Sequence, residues 1–265
     1  MPKDNRLAVL IDADNVSEKY IKYILDEVSN DGVATYKRIY GDWTKPALGT
    51  WKNVLLEFSI TPIQQYGYTT GKNATDSAMI IDAMDILYSG NVEGFCIVSS
   101  DSDFTRLAVR LRESGMNVVG MGEKKTPPPF ISACNKFRYL EVLAQDAVPN
   151  NLPPEGETEI VAPEMTPLET IKSAVQTIVQ EISDDDGRAF VGEIGNMLVR
   201  RYPDFDVRNY GFKKLTPLIQ SLKVFDILSE RNSDGYNRLV YVKEKSISVP
   251  QNIVGKNPIN KVRKV

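Results

Sequence analysis

The chain has 265 residues, 42% of them hydrophobic, with 32 Lys and Arg against 35 Asp and Glu and a formal net charge of −3. That length supports one sizeable core and a second, smaller one, and the near balance of charge excludes a uniformly basic nucleic-acid coat. With no apolar run of about 18 residues and no leading signal-like segment, the expectation is a cytoplasmic protein without a membrane contact. In chain order, short apolar runs predict strands near 6–12, 33–40, 61–66, 94–99, 116–121 and 137–140. Amphipathic segments between them predict helices near 17–30, 47–58, 75–89, 103–114 and 128–134. A βαβα order of this kind implies an α/β domain over residues 1–143, with a parallel sheet covered by helices on both faces.

Residues 144–165 form the expected linker. They hold Pro149, Pro153, Pro154 and Pro163, and across 141–167 there are six acidic residues and no Lys or Arg, a composition that buries little apolar surface. Beyond it, Leu168, Ile171, Val175, Ile178 and Val179 follow helical spacing, and a second amphipathic segment runs from Val191 to Tyr202. Val224 to Glu230 and Tyr236 to Val242 flank Asp234-Gly235, a hairpin signal. Two helices followed by a hairpin suggest a small winged-helix domain over 166–245. Residues 246–265, with Lys256, Lys261, Arg263 and Lys264 and no acid, read as a disordered basic tail or as a non-specific contact with RNA or DNA.

The absence of histidine removes the usual general base, the Ser-His and Cys-His pairs and the commonest metal-binding nitrogen. Cys96 and Cys134 lack the C-x-x-C spacing of a zinc site and read as buried or incidental. Chemistry therefore rests on carboxylates, Lys, Ser, Thr or Tyr, and an oxygen-only acidic site suits Mg²⁺ or Mn²⁺ better than Zn²⁺.

Two runs place closely spaced carboxylates where a buried strand gives way to a turn. They are Leu10-Ile11-Asp12-Ala13-Asp14-Asn15 and Ser99-Ser100-Asp101-Ser102-Asp103-Phe104. Ligands of open α/β sheets bind beyond the carboxyl ends of the strands, so Asp12, Asp101 and Asp103 can converge there. Asp12 can instead cap the following helix, unless Asp14 does so. Asp101 and Asp103 are harder to explain by capping, because one cap suffices and two near carboxylates repel unless neutralised. Asp76 opens the helix 75–89 and is the third candidate. Asp82 lies about 240° further round that helix and is at most an outer ligand, while Asp85 reads as solvated. Lys72 and Arg106 can contact phosphate or serve only as solvated helix-flanking charges.

These positions resemble the NYN family of PIN-like nucleases, in particular its bacterial LabA-like branch, over about 5–141. The match runs through Val9-Leu10-Ile11-Asp12-Ala13-Asp14-Asn15, Gly71-Lys72-Asn73-Ala74-Thr75-Asp76 with Ile81-Asp82, and Val98-Ser99-Ser100-Asp101-Ser102-Asp103-Phe104. The resemblance implies a Rossmann-like, PIN-like sheet, with Asp12, Asp76, Asp101 and Asp103 around Mg²⁺ or Mn²⁺, Asn15 supporting them and RNA as substrate.

Residues 166–243 resemble the OST-HTH, or LOTUS, domain. The matching stretches are Asp186-Gly187-Arg188-Ala189-Phe190-Val191, Ile194-Gly195, Pro203-Asp204-Phe205-Asp206, Tyr210-Gly211-Phe212-Lys213-Lys214-Leu215 and Phe225-Asp226-Ile227. The resemblance implies a compact winged helix that meets RNA, or protein partners in RNA regulation. Arg208, Lys213 and Lys214 form a candidate phosphate-facing patch, with a plain soluble helix face as the alternative. The expected function is a metal-dependent ribonuclease with an appended RNA-binding module. Its competitors are a non-catalytic RNA-binding adaptor and a haloacid-dehalogenase-type phosphatase built on Asp12-Ala13-Asp14.

Overall fold

Every residue from Leu7 to Asp12 is buried, because strand β1 (Arg6–Asp12) lies inside a parallel sheet with both faces covered. In the computed structural model, which describes residues 5–67, 74–146, 165–231 and 238–245, that sheet has six strands in the order β3-β2-β1-β4-β5-β6. The other five are β2 (Val33–Gly41), β3 (Thr61–Gln64), β4 (Gly94–Val98), β5 (Asn117–Gly122) and β6 (Lys136–Tyr139). Helices α1 (Ile21–Asp31), α2 (Trp51–Glu57), α3 (Ala74–Ser89), α4 (Thr105–Glu113), α5 (Pro128–Ala133) and α6 (Leu140–Asp146) connect or flank the strands.

The pleat of β1 divides the core. Leu7, Val9 and Ile11 pack with Ile21, Ile24 and Trp51 on one face, while Ala8 and Leu10 pack with Met79, Ala83 and Phe104 on the other. The sequence order doubles back after β3, so the chain crosses from one edge strand to pair β4 beside β1. Their carboxyl ends flank the topological switch point, the usual ligand crevice of such sheets.

Two expectations shift locally. The first helix begins at Ile21 behind a 3-10 turn at Glu18–Tyr20, and α6 continues the chain past position 143. This helix is absent from the periodicity because it spans only seven residues; Leu140 and Leu143 nevertheless pack against the α1 face of the sheet. Among the described residues, no helix is long and apolar enough to cross a membrane.

Close packing at the sheet end leaves no room for a side chain at Gly122. A Cβ there would lie 2.5 Å from Thr126 Oγ1 and 2.6 Å from the Ser99 carbonyl oxygen. Gly122→Ala is therefore expected to destabilise the fold by about 1–3 kcal/mol, the usual cost of overpacking. Chemical denaturation checks this, and a midpoint equal to wild type would refute it.

The second layered unit packs α7 (Leu168–Ile182), α8 (Val191–Arg201) and α9 (Leu215–Ser221) on a three-stranded antiparallel sheet. Its strands are β7 (Arg188–Phe190), β8 (Phe225–Arg231) and β9 (Arg238–Glu244), in the order β7-β9-β8. Ile171, Val175, Ile178, Ile194, Leu198, Leu218 and Val242 form its core. This is a small winged-helix arrangement; the Asp234-Gly235 turn lies outside the described residues.

The winged helix is docked on the first sheet. Phe137 N of edge strand β6 donates to Pro203 O at 2.7 Å, which covers part of a strand edge otherwise open to pairing. Beside that bond lies an ionic cluster. Arg208 donates to Glu27 Oε2 and Oε1 at 3.1 and 3.0 Å and to Asp206 Oδ2 at 2.6 Å. Arg138 Nε lies 3.0 Å from Glu27 Oε1 and 3.3 Å from Asp206 Oδ2.

Candidate acidic site at the sheet switch point

Asp12 ends β1 with no solvent exposure, and its carboxylate is held on several sides. Oδ1 accepts from Asp14 N at 3.0 Å, and Oδ2 accepts from Asn15 Nδ2 at 2.7 Å and Ser99 Oγ at 2.9 Å. Burial raises the Asp12 pKa against the opposing pull of these bonds. Ser99 extends the chain of contacts, because its Oγ also accepts from Asp101 N at 3.0 Å. One buried hydroxyl thus ties the end of β1 to the loop after β4.

Asp101 then caps the 3-10 turn Ser102–Phe104 by accepting from Asp103 N at 2.9 Å. That turn and α4 place Asp103 next to it, and Asp76 arrives from the first turn of α3. One carboxylate oxygen from each of Asp76, Asp101 and Asp103 lies within 4.8 Å of the others. Burial, followed by the nearby charges of Asp12, Asp101, Asp103 and Asp14, pushes Asp76 up to about 6. Three hard oxygen donors whose mutual repulsion a cation relieves fit a divalent ion such as Mg²⁺ or Mn²⁺.

Of the four aspartates expected around one ion, the structure gathers Asp76, Asp101 and Asp103. Asp12 stands behind them as a buried, hydrogen-bonded neighbour, and Asn15 is the residue that holds it. Asp14 caps no helix; it receives Lys45 Nζ at 3.1 Å and Thr75 Oγ1 at 3.2 Å. A recess of about 340 Å³ beside it is lined in part by Asn15, Lys45 and Trp51. Not every strand-end acid joins the cluster. Asp42, after β2, accepts from Thr44, Gln64 and Gly67, and these bonds hold it down at about 2.

Two expected roles are corrected. Asp82 does not face the cluster; its carboxylate pairs with Arg38 and accepts from the Tyr40 hydroxyl, because α3 turns it toward β2. Arg208 is no phosphate-facing cation, since Glu27 and Asp206 engage its guanidinium at the docking contact. Arg106, in the first turn of α4, and Lys213 and Lys214, just before α9, are exposed. Lys72 lies outside the described residues.

Ser99 and Lys45 were not singled out from the sequence. Ser99 carried a signal in the Ser-Ser-Asp run at a strand end, but its link to Asp12 spans 87 residues. Ser99→Ala removes a bond to a buried carboxylate and an acceptor for Asp101 N, and is expected to cost about 2 kcal/mol. An unchanged denaturation midpoint would show that the hydroxyl holds nothing together.

A Rossmann-like sheet with a carboxylate cluster at its switch point, docked to a winged helix, defines a class of two-domain protein with an acidic site. The NYN domain model matches residues 6–141, and the OST-HTH/LOTUS domain model matches residues 166–236. The chain belongs to the NYN domain family and carries a C-terminal OST-HTH/LOTUS domain. A crystal structure of a protein of unknown function from Vibrio parahaemolyticus is similar at 17% identity and a TM-score of 0.44, over 52% of this chain and 94% of that one. No curated protein matches the chain significantly.

Proposed function

We propose that this protein is a ribonuclease that hydrolyses RNA phosphodiester bonds at the acidic cluster, with Mg²⁺ or Mn²⁺ as cofactor. The observation that carries this reading is the convergence of Asp76, Asp101 and Asp103 at the switch point. These three carboxylates would hold the ion. When bound, a divalent cation supplies neutralisation of the phosphodiester charge and activation of water. Asp12, through its bonds with Asn15 and Ser99, fixes the loops that carry the cluster.

Arg106, at the amino end of α4, is proposed to meet substrate phosphate. RNA is the proposed substrate because an OST-HTH/LOTUS domain, a class associated with RNA, is joined to the NYN domain in one chain. Lys213 and Lys214 are proposed RNA contacts on that domain, and protein partners belong to its proposed repertoire. A double charge reversal that leaves RNA affinity and its salt dependence unchanged would remove the two lysines from this role. The burial of Asp12, with hydrogen bonds to both oxygens, counts against its service as a phosphatase nucleophile, which needs an accessible oxygen.

The test is purified protein incubated with structured and unstructured RNA, with Mn²⁺ or Mg²⁺ and with EDTA. Metal-dependent cleavage is expected. Cleavage that survives EDTA would overturn the cofactor, and RNA binding without turnover on any substrate would favour the adaptor reading.

A further inference from the structure

A cleft of about 1040 Å³ lies apart from the acidic cluster. It opens between the two domains, at the amino ends of β5 and β6, where Asn117 and Lys136 face residues of α8. The acidic cluster lies at the opposite, carboxyl ends of the strands. For a chain of net charge −3, the cleft is markedly basic. Among the described residues, its lining carries Arg112, Lys136, Arg138, Arg200 and Arg201 against a single carboxylate, Asp206.

Three of these cations have acidic partners. Lys136 pairs with Asp31, Arg201 with Glu181, and Arg138 with Glu27 and Asp206. Arg112 and Arg200 have none among the described residues, and both are exposed. Arg112 Nη1 donates to the carbonyls of Ser132 and Ala133 at 3.3 and 3.2 Å. Those bonds hold the guanidinium on one wall while leaving its other N–H groups for a ligand. Arg200 stands on the opposite wall, one helical turn beyond Asn196. The lining also includes Val199 and Leu215, half-buried against the winged-helix core on the same wall as Arg200.

We propose that this interdomain cleft binds single-stranded RNA, with Arg112 and Arg200 gripping phosphates from opposite walls. The choice of RNA rests on the functional reading above; the cleft and its charge do not. Guanidinium forks match phosphate oxygens, and unpaired strands are tracked along their backbone by cationic grooves. A regular RNA helix is read instead across its wide minor groove and its backbone. A strand seated in the cleft must pass around the sheet to reach Asp76, Asp101 and Asp103, so this site anchors RNA away from the cleaved bond.

The test is fluorescence anisotropy with the full chain in EDTA, using a short labelled single-stranded RNA across a salt series. Arg112→Glu with Arg200→Glu is expected to weaken binding at least ~10-fold and to flatten the salt dependence by about 1.4, two contacts at ~0.7 each. Lys22→Glu with Lys52→Glu makes the same change in net charge on exposed positions of α1 and α2 and serves as the control. Arg200→Glu alone, at a side chain that bonds to no other side chain among the described residues, keeps the test valid if the double variant folds poorly. Wild-type affinity in the Arg200 variant, or an equal loss in the control, overturns the proposal. So does binding that an acidic polypeptide competes away and unlabelled RNA does not. Because affinity is read without metal, failure of the nuclease reading leaves this result interpretable, and failure here leaves the acidic cluster untouched.

Discussion

Asp101→Asn is expected to lower metal-dependent RNA cleavage about 10³-fold without harming the fold. Asparagine keeps the side-chain oxygen that accepts from Asp103 N, so the 3-10 turn retains its cap. What it loses is one of the three negative charges that meet within 4.8 Å. A loss of about 4 kcal/mol of transition-state stabilisation corresponds to that factor. In EDTA the sign reverses for stability, because removing one of several mutually repelling carboxylates relieves the strain that pushes Asp76 up to about 6. The metal-free variant should therefore melt no lower than wild type. Cleavage rates at saturating Mn²⁺ and melting curves in EDTA give both readouts. Undiminished cleavage would mean that the chemistry lies elsewhere or belongs to a contaminant.

Arg208→Ala is expected to be the most damaging single change away from that site. Glu27 and Asp206 are side chains only 10% and 9% exposed, and removing Arg208 leaves them with Arg138 as their remaining cation in the cluster. Breaking a buried ionic contact by deleting one partner costs about 3–5 kcal/mol, because the other charges stay desolvated. The loss falls on the contact between domains, so a larger radius in solution scattering should accompany a lower unfolding midpoint. Replacing charge on both sides, as Arg208→Met with Glu27→Gln, should recover part of the loss. A single variant as stable and compact as wild type would show that the cluster does not hold the domains together.

The same cluster sets a pH dependence. Burial pushes Glu27 and Asp206 up, but Arg208 and Arg138 more than offset it and hold both pKa values below their usual 4.5 and 3.8. A depressed carboxylate pKa contributes stability that is complete above the unfolded value and disappears as pH falls through the folded one. Docking should thus be constant near neutrality and weaken on acidification from about pH 4.5 downward. Small-angle scattering across that range checks the sign.

Much of the sheet was legible because its strands are buried on both faces. Gly94–Val98 is buried at every position, and such a strand shows as a continuous apolar run. Short elements were not legible in the same way. β7 has three residues and α6 seven, too few for a period to repeat, and their positions depend on what they pack against. Asp12, Asp76, Asp101 and Asp103 stood out as strand-end or helix-start carboxylates, but their roles then diverged. Asp12 became a buried partner of Ser99, Asp101 both a cap and a cluster member, and Asp82 the partner of Arg38 and Tyr40.

By itself the sequence determined the local chemistry: alternating strands and helices, carboxylates at the strand ends, no histidine to compete with them, and a second domain of winged-helix pattern. Those properties depend on neighbours a few residues apart, which periodicity and capping rules read directly. Only the tertiary structure decided which charges meet. The switch in strand order brings β1 and β4 together, the pitch of α3 sends Asp76 and Asp82 to different partners, and the docking of the second domain takes Arg208 from solvent into an ionic contact with Glu27, 181 positions earlier. Charge acts through space, and distance along the chain carries little information about it until the core has packed.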